Sequence, residues 1–166
     1  MAEPLVVTLL LEDAAQQRFD RLREQHFPPE RNHLAAHVTL FHALPGGHLD
    51  AVRADLAAAA DRPSFDVAVT GVRFLGRGVA YSLEAPEVAP LRAGLVSAWL
   101  PWLTAQDRQK HAPHVTVQNK VAPAVARALH DRLLAEFRPE TVRARGLGLW
   151  RYLGGPWEPV DELGFR

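Results

Sequence analysis

The chain contains no cysteine. Disulfides, thiolate nucleophiles and cysteine-ligated zinc are therefore excluded. Charge of one sign is lacking as well, since 19 lysines and arginines stand against 19 aspartates and glutamates. A protein that wraps long RNA or DNA ordinarily carries a basic surplus. A small charged ligand, or just the end of a nucleic acid, is the better expectation. Long apolar runs are missing too. Leu5–Leu11 has no basic flank and is soon followed by Glu12 and Asp13, so a signal peptide is not expected. No run is long enough to span a bilayer. No stretch is rich enough in Gly, Ser or Pro to separate two domains. With 166 residues, 48% of them hydrophobic, the expectation is one domain over 1–166 with two similar lobes, roughly 1–85 and 86–166, that can exchange strands. A cytoplasmic monomer is expected, with no membrane partner.

What is present is a repeated order of elements. Leu5–Glu12 reads as a buried strand. Asp13 and Gln16 form a candidate capping box, and Ala15, Phe19, Leu22 and His26 share one face of the helix that follows. Pro28 and Pro29 end it. Ala35–Leu44 reads as a strand. Asp50 can cap a second helix, with Val52, Leu56, Ala59 and Ala60 inward. Phe65–Leu75 and Val79–Ala85 form a hairpin around Gly76-Arg77-Gly78. A third helix begins near Pro86 with Val88, Leu91, Leu95 and Trp99 in one stripe. The polar loop Pro101–Pro113 follows, then a strand over His114–Val121. Pro123 starts a fourth helix with Val125, Leu129, Leu133 and Phe137. Thr141–Leu153 and Glu158–Phe165 close the chain as strands. After the first strand, the order helix, strand, helix, strand, strand occurs twice.

One residue motif also occurs twice, His37-Val38-Thr39-Leu40 and His114-Val115-Thr116-Val117, each on the corresponding strand of its half. The period of a strand is two, so His and Thr share one face while Val38, Leu40 and Leu44, or Val115, Val117 and Val121, face a core. A single His-x-Thr is ordinarily a surface feature; a matched pair on equivalent strands demands more. Cleaving a phosphodiester requires deprotonating a nucleophile and protonating a leaving alkoxide. An imidazole, with an ordinary pKa of ~6.5, can do either near neutrality. Two hydroxyls beside them can donate to non-bridging phosphate oxygens. The scheme needs no cofactor, and His111-x-x-His114, without a carboxylate or cysteine nearby, is too little for a metal site.

These residues resemble the two-histidine phosphoesterase superfamily, which includes the 2'-5' RNA ligase and 2',3'-cyclic phosphodiesterase proteins. Both of its His-x-Thr/Ser-x motifs are complete, and the likeness covers nearly the whole chain. The resemblance implies an α+β, bilobal fold: a pseudo-two-fold duplicated unit with two antiparallel sheets flanking a central cleft and helices outside. It implies His37 and His114 as the acid–base pair and Thr39 and Thr116 as phosphate clamps. The chain departs from the family after the first motif, where Phe41-His42-Ala43-Leu44 replaces a Phe-Leu-Gly-like sequence, with His42 expected on the core-facing side. Its first strand lacks the arginine of the RNA cyclic phosphodiesterase subgroup.

Strand alternation adds candidates for substrate binding. Phe41 continues the face of His37 and Thr39 and can stack on a nucleobase. Gln118 and Lys120 continue the face of His114 and Thr116, and Lys120 can place a point charge near phosphate. Tyr81, Trp150, Tyr152 and Trp157 read as core aromatics. Arg143, Arg145 and Arg151 alternate along one strand, as a phosphate-backbone patch or a solvated edge. The expected partner is a nucleotide or an RNA 3' end carrying a 2',3'-cyclic phosphate or a 2'-5' bond. The alternatives are a cyclic phosphate of a small metabolite such as ADP-ribose, and a non-catalytic module that binds RNA ends.

Overall fold

The computed structural model describes residues 2–166. In chain order the elements are β1 (Leu5–Leu11), α1 (Asp13–His26), β2 (Val38–Leu44), α2 (Leu49–Ala59), β3 (Phe65–Phe74), β4 (Val79–Glu84), α3 (Val88–Trp99), the short α4 (Ala105–Arg108), β5 (His114–Gln118), α5 (Pro123–Glu136), β6 (Glu140–Tyr152) and β7 (Trp157–Gly164). The repeated order expected from the sequence is present, with α4 inserted in the polar loop.

The α+β class and the antiparallel pairing are as expected. The strands do not divide into two separate sheets, because the 13-residue β6 is long enough to serve both groups. The order is β2-β1-β6-β3-β4-β5, with β7 also on β6. Ala144 of β6 pairs with Leu11 on one side and with Phe65 on the other. Further along, Gly146 sits between Leu10 and Gly164. So β1 lies along one side of β6, and β7 and β3 follow one another along the opposite side. The strands that carry the two motifs, β2 and β5, are the two ends of this path.

Alternation sorts β1 between two environments. Leu5, Val7, Leu9 and Leu11 enter the main core with Phe19, Val52, Leu56, Leu95 and Trp99. On the opposite face, Thr8 accepts a hydrogen bond from Trp150 Nε1 at 2.9 Å. Gly148 is needed there, since a Cβ would lie 2.6 Å from Thr8 Oγ1 and 2.8 Å from Trp150 Nε1. A smaller cluster of Val79, Val117, Leu129 and Leu133 seats α5 over β4 and β5.

Local details differ from the sequence reading. Asp13 is the first helical residue of α1, not its cap; Glu12 holds the cap position without a side-chain hydrogen bond. Gln16 instead reaches Asp20 and the Ala36 carbonyl. The buried stripe of α1 runs Ala15, Phe19, Arg23 rather than ending on His26. Asp50 lies within the first turn of α2, whose cap position is His48. On α5 the inward residue is Ala126, and Val125 is exposed.

Candidate functional site

His37 immediately precedes β2 and His114 opens β5. Each ring is held in the same way. His37 Nδ1 lies 2.8 Å from the Ala35 carbonyl, and His114 Nδ1 lies 2.9 Å from the Ala112 carbonyl. A carbonyl only accepts, so Nδ1 carries the hydrogen and Nε2 is left as the proton-exchanging atom of each neutral ring. Neither Nε2 has a protein hydrogen bond among the described residues, and the Thr39 and Thr116 hydroxyls are also without one. All four side chains are half-buried.

Two cross-connections set the spacing of the motif strands, which approach one another without pairing as a ladder. Arg23, from α1 in the first half of the chain, donates to the Thr116 carbonyl at 3.1 Å. His111, from the second half, donates from Nε2 to the Thr39 carbonyl at 2.8 Å. Each motif threonine is thus held at its backbone by a side chain from the other half. Arg23 is 5% exposed, and its Nε is fixed by Asn32 and the Leu34 carbonyl. Burial pushes its pKa down to about 10, against the attraction of Asp20. It stays a cation at neutral pH. Sequence reasoning missed both residues: a lone arginine at an inward helix position reads as an exception, and His111 lies in a loop with no periodicity.

The surroundings of His37 disfavour its charged form. Burial pushes His37 down to about 4, opposed by the Ala35 hydrogen bond and reinforced by the charges of Arg23, His114 and His42. Trp157 contributes to that burial, with its ring 4.5 Å from the imidazole. His37 is therefore neutral at pH 7, ready to accept a proton at Nε2.

Of the expected substrate-binding residues, the structure turns Phe41 and Gln118 away. One irregularity explains both. Val7 pairs with Phe41 but Thr8 pairs with Thr39, so Leu40 is an extra residue in β2. Val79 pairs with Gln118 but Ala80 pairs with Thr116, so Val117 is the extra residue in β5. A bulge directly after each motif threonine reverses the alternation. Phe41 is consequently fully buried, edge-on to Trp99 at 5.0 Å and beneath the Arg92 guanidinium at 4.7 Å, and offers no face to a base. Gln118 is 5% exposed and lines a separate cavity with Gln25, His26 and Arg132. Lys120 lies beyond the end of β5, exposed in a turn at φ 63°, rather than on the strand face of His114.

The same bulge brings His42 outward, not onto the core side. Asp107 of α4 accepts from the His42 and Ala43 backbone N–H groups and from His42 Nδ1. Burial opposes ionisation of Asp107, but these hydrogen bonds outweigh it and hold the carboxyl below its ordinary range. Arg92 adds hydrogen bonds to the Leu40 and Asp107 carbonyls. The free edge of β2 is therefore satisfied by side chains from α3, α4 and the loop before β5. Arg143 and Arg145 are engaged with Asp66 and Glu162, as a solvated edge rather than an open cationic patch. Among the described residues no group of three or more His, Cys, Asp or Glu is placed to hold a metal ion, and no helix is long and apolar enough to cross a membrane.

Solved structures with the same architecture include TT0787 of Thermus thermophilus, at 16% identity and a TM-score of 0.70 with 98% of each chain covered. Escherichia coli LigT complexed with 3'-AMP is similar at 18% identity and a TM-score of 0.66, with 99% of each chain covered. A further structure described as a phosphoesterase matches at 18% identity and a TM-score of 0.65, again over 99% of each chain. At such identities the likeness is one of fold. No curated protein matches the sequence. The profile of the 2'-5' RNA ligase superfamily matches residues 11–156, which include both histidine motifs and strands β2 to β6. The chain belongs to the 2'-5' RNA ligase superfamily.

Proposed function

We propose that this protein is a metal-independent phosphoesterase that opens 2',3'-cyclic phosphates on nucleotides or at RNA 3' ends. The mirrored fixing of His37 and His114 through Nδ1 carries the reading, because it leaves two Nε2 atoms free for proton transfer. His37, neutral at pH 7, takes a proton from water at Nε2 as the water oxygen bonds to phosphorus. The bond from phosphorus to one ribose oxygen breaks, and His114, entering the step with a proton on both ring nitrogens, delivers the one on Nε2 to that oxygen. Thr39 and Thr116 donate to the non-bridging oxygens, where the bonds count most if they tighten in the transition state. With a 5'-hydroxyl in place of water as the attacking group and the 3' ribose oxygen leaving, the same groups join ends through a 2'-5' bond. Zero net charge favours a small nucleotide or a strand end over long RNA. The structure of LigT with 3'-AMP supports a nucleotide ligand for this fold.

The test is hydrolysis of the four 2',3'-cyclic nucleotides in EDTA by the wild type, His37→Ala and His114→Ala. Turnover is expected in the wild type, with a loss of about 10²–10⁴-fold in each variant. Undiminished turnover in either variant would refute the paired mechanism.

A further inference from the structure

Beside His37 lies a cavity of about 310 Å³ whose walls are chemically divided. That volume suits a small planar ligand. One side is aromatic: Trp150 and Trp157 line it, with ring centroids 6.0 Å apart, and Trp157 also touches His37. The lining also holds the polar side chains of Gln16, Asp20, His33, Arg145 and Glu162. Its one guanidinium is already spent. Arg145 Nε donates to the Leu11 carbonyl, and its terminal nitrogens lie 3.2 and 3.4 Å from the Glu162 carboxylate. Asp20 uses only one oxygen: Oδ1 accepts from the Ala36 N–H at 2.8 Å and from Gln16 Nε2 at 2.9 Å. Oδ2 accepts no hydrogen bond among the described residues.

A phosphate would meet net negative charge in this cavity. A flat neutral ring that stacks on indole and donates N–H would meet aromatic faces and an open carboxylate oxygen. We propose that the cavity is a base subsite selective for nucleobases with an exocyclic amino group, adenine, guanine or cytosine, with Asp20 as the discriminating acceptor. The proposal rests on the nucleotide reading above and deepens it. It sorts the substrate along the site, phosphate between the histidines and base against the tryptophans. Uracil offers a carbonyl oxygen where cytosine offers an amino group, which sets two acceptors against each other.

The test measures binding of cytidine and uridine 3'-monophosphates through quenching of tryptophan fluorescence. The wild type is expected to bind the cytidine nucleotide about tenfold more tightly, the size of one hydrogen bond to a charged acceptor. Asp20→Asn keeps an oxygen for the Ala36 N–H but presents an amide donor to the cavity. It is expected to shrink the preference below about twofold or reverse it. Trp157→Leu is expected to weaken both nucleotides about tenfold while keeping the preference. Equal affinities in the wild type, or an unchanged preference in Asp20→Asn, would overturn the proposal. Failure of both nucleotides to bind would overturn it as well. Turnover of the two corresponding 2',3'-cyclic nucleotides separates the two readings. Preference without turnover counts against hydrolysis alone; turnover without preference counts against the base subsite alone.

Discussion

The two halves of the chain build the same histidine twice and then surround it differently. In each, Nδ1 is tied to the carbonyl two residues earlier, and in each a bulge follows the motif threonine. His37, however, lies beneath Trp157 and is pushed down to about 4 by burial. His114 follows the insertion that carries Asp107 and His111, whose contacts brace the opposite strand rather than His114 itself. Local backbone geometry is what the two halves share; their surroundings are where they differ.

The comparison can be broken most decisively at the threonines. Thr39→Val and Thr116→Val each remove one hydroxyl at nearly constant volume, and each is expected to lower kcat about 10²-fold in single-turnover hydrolysis. A loss in only one variant would mean that the clamp is not shared between halves. The pH dependence tests the surroundings peculiar to His37. With His37 low, kcat/KM is expected to keep its acid limb near 4, because activity is lost only once the base is protonated. Trp157→Ala exposes the ring and is expected to raise that limb by about one to two pH units toward the ordinary imidazole value. A limb that stays in place would show that Trp157 is not what buries His37. The smallest effect concerns the brace peculiar to the β2 side. Asp107→Ala strands the His42 and Ala43 N–H groups and is expected to cost about 3 kcal/mol in urea unfolding. A loss below about 1 kcal/mol would mean that water replaces the carboxylate.

The strands, the four longer helices and the motif pair were legible because each rests on periodicity or on repeated chemistry. The bulges were not. Alternation predicted Phe41 and Gln118 beside the motif histidines, and the extra residue that follows each motif threonine sent both inward. The consecutive apolar pair Leu40-Phe41 followed by outward His42 is the trace such a bulge leaves; Val117-Gln118 leaves none, since glutamine reads as solvent-facing. The capping box at Asp13 failed because Gln16 found a better partner in Asp20 and the Ala36 carbonyl, a tertiary contact invisible to local rules. Arg23 and His111 were missed for the same reason: their partners are carbonyls 93 and 72 residues away along the chain. The tryptophans read as core because nothing in the sequence places β7 against the residue before β2.

The strand that joins the two groups is made after both of the groups it serves. Residues 140–152 must pair with residues 5–11 on one side and 65–69 on the other before the sheet is continuous. Closing loops of that length early in folding is entropically unfavourable, and topologies rich in distant pairings fold slowly. During synthesis, the first strand waits with its hydrogen-bonding edge open until β6 leaves the ribosome. A chain stopped before residue 140 lacks the element common to both groups, so neither motif strand would be carried on a finished sheet. Assembly of the sheet that carries both motif strands is thereby tied to synthesis beyond β6.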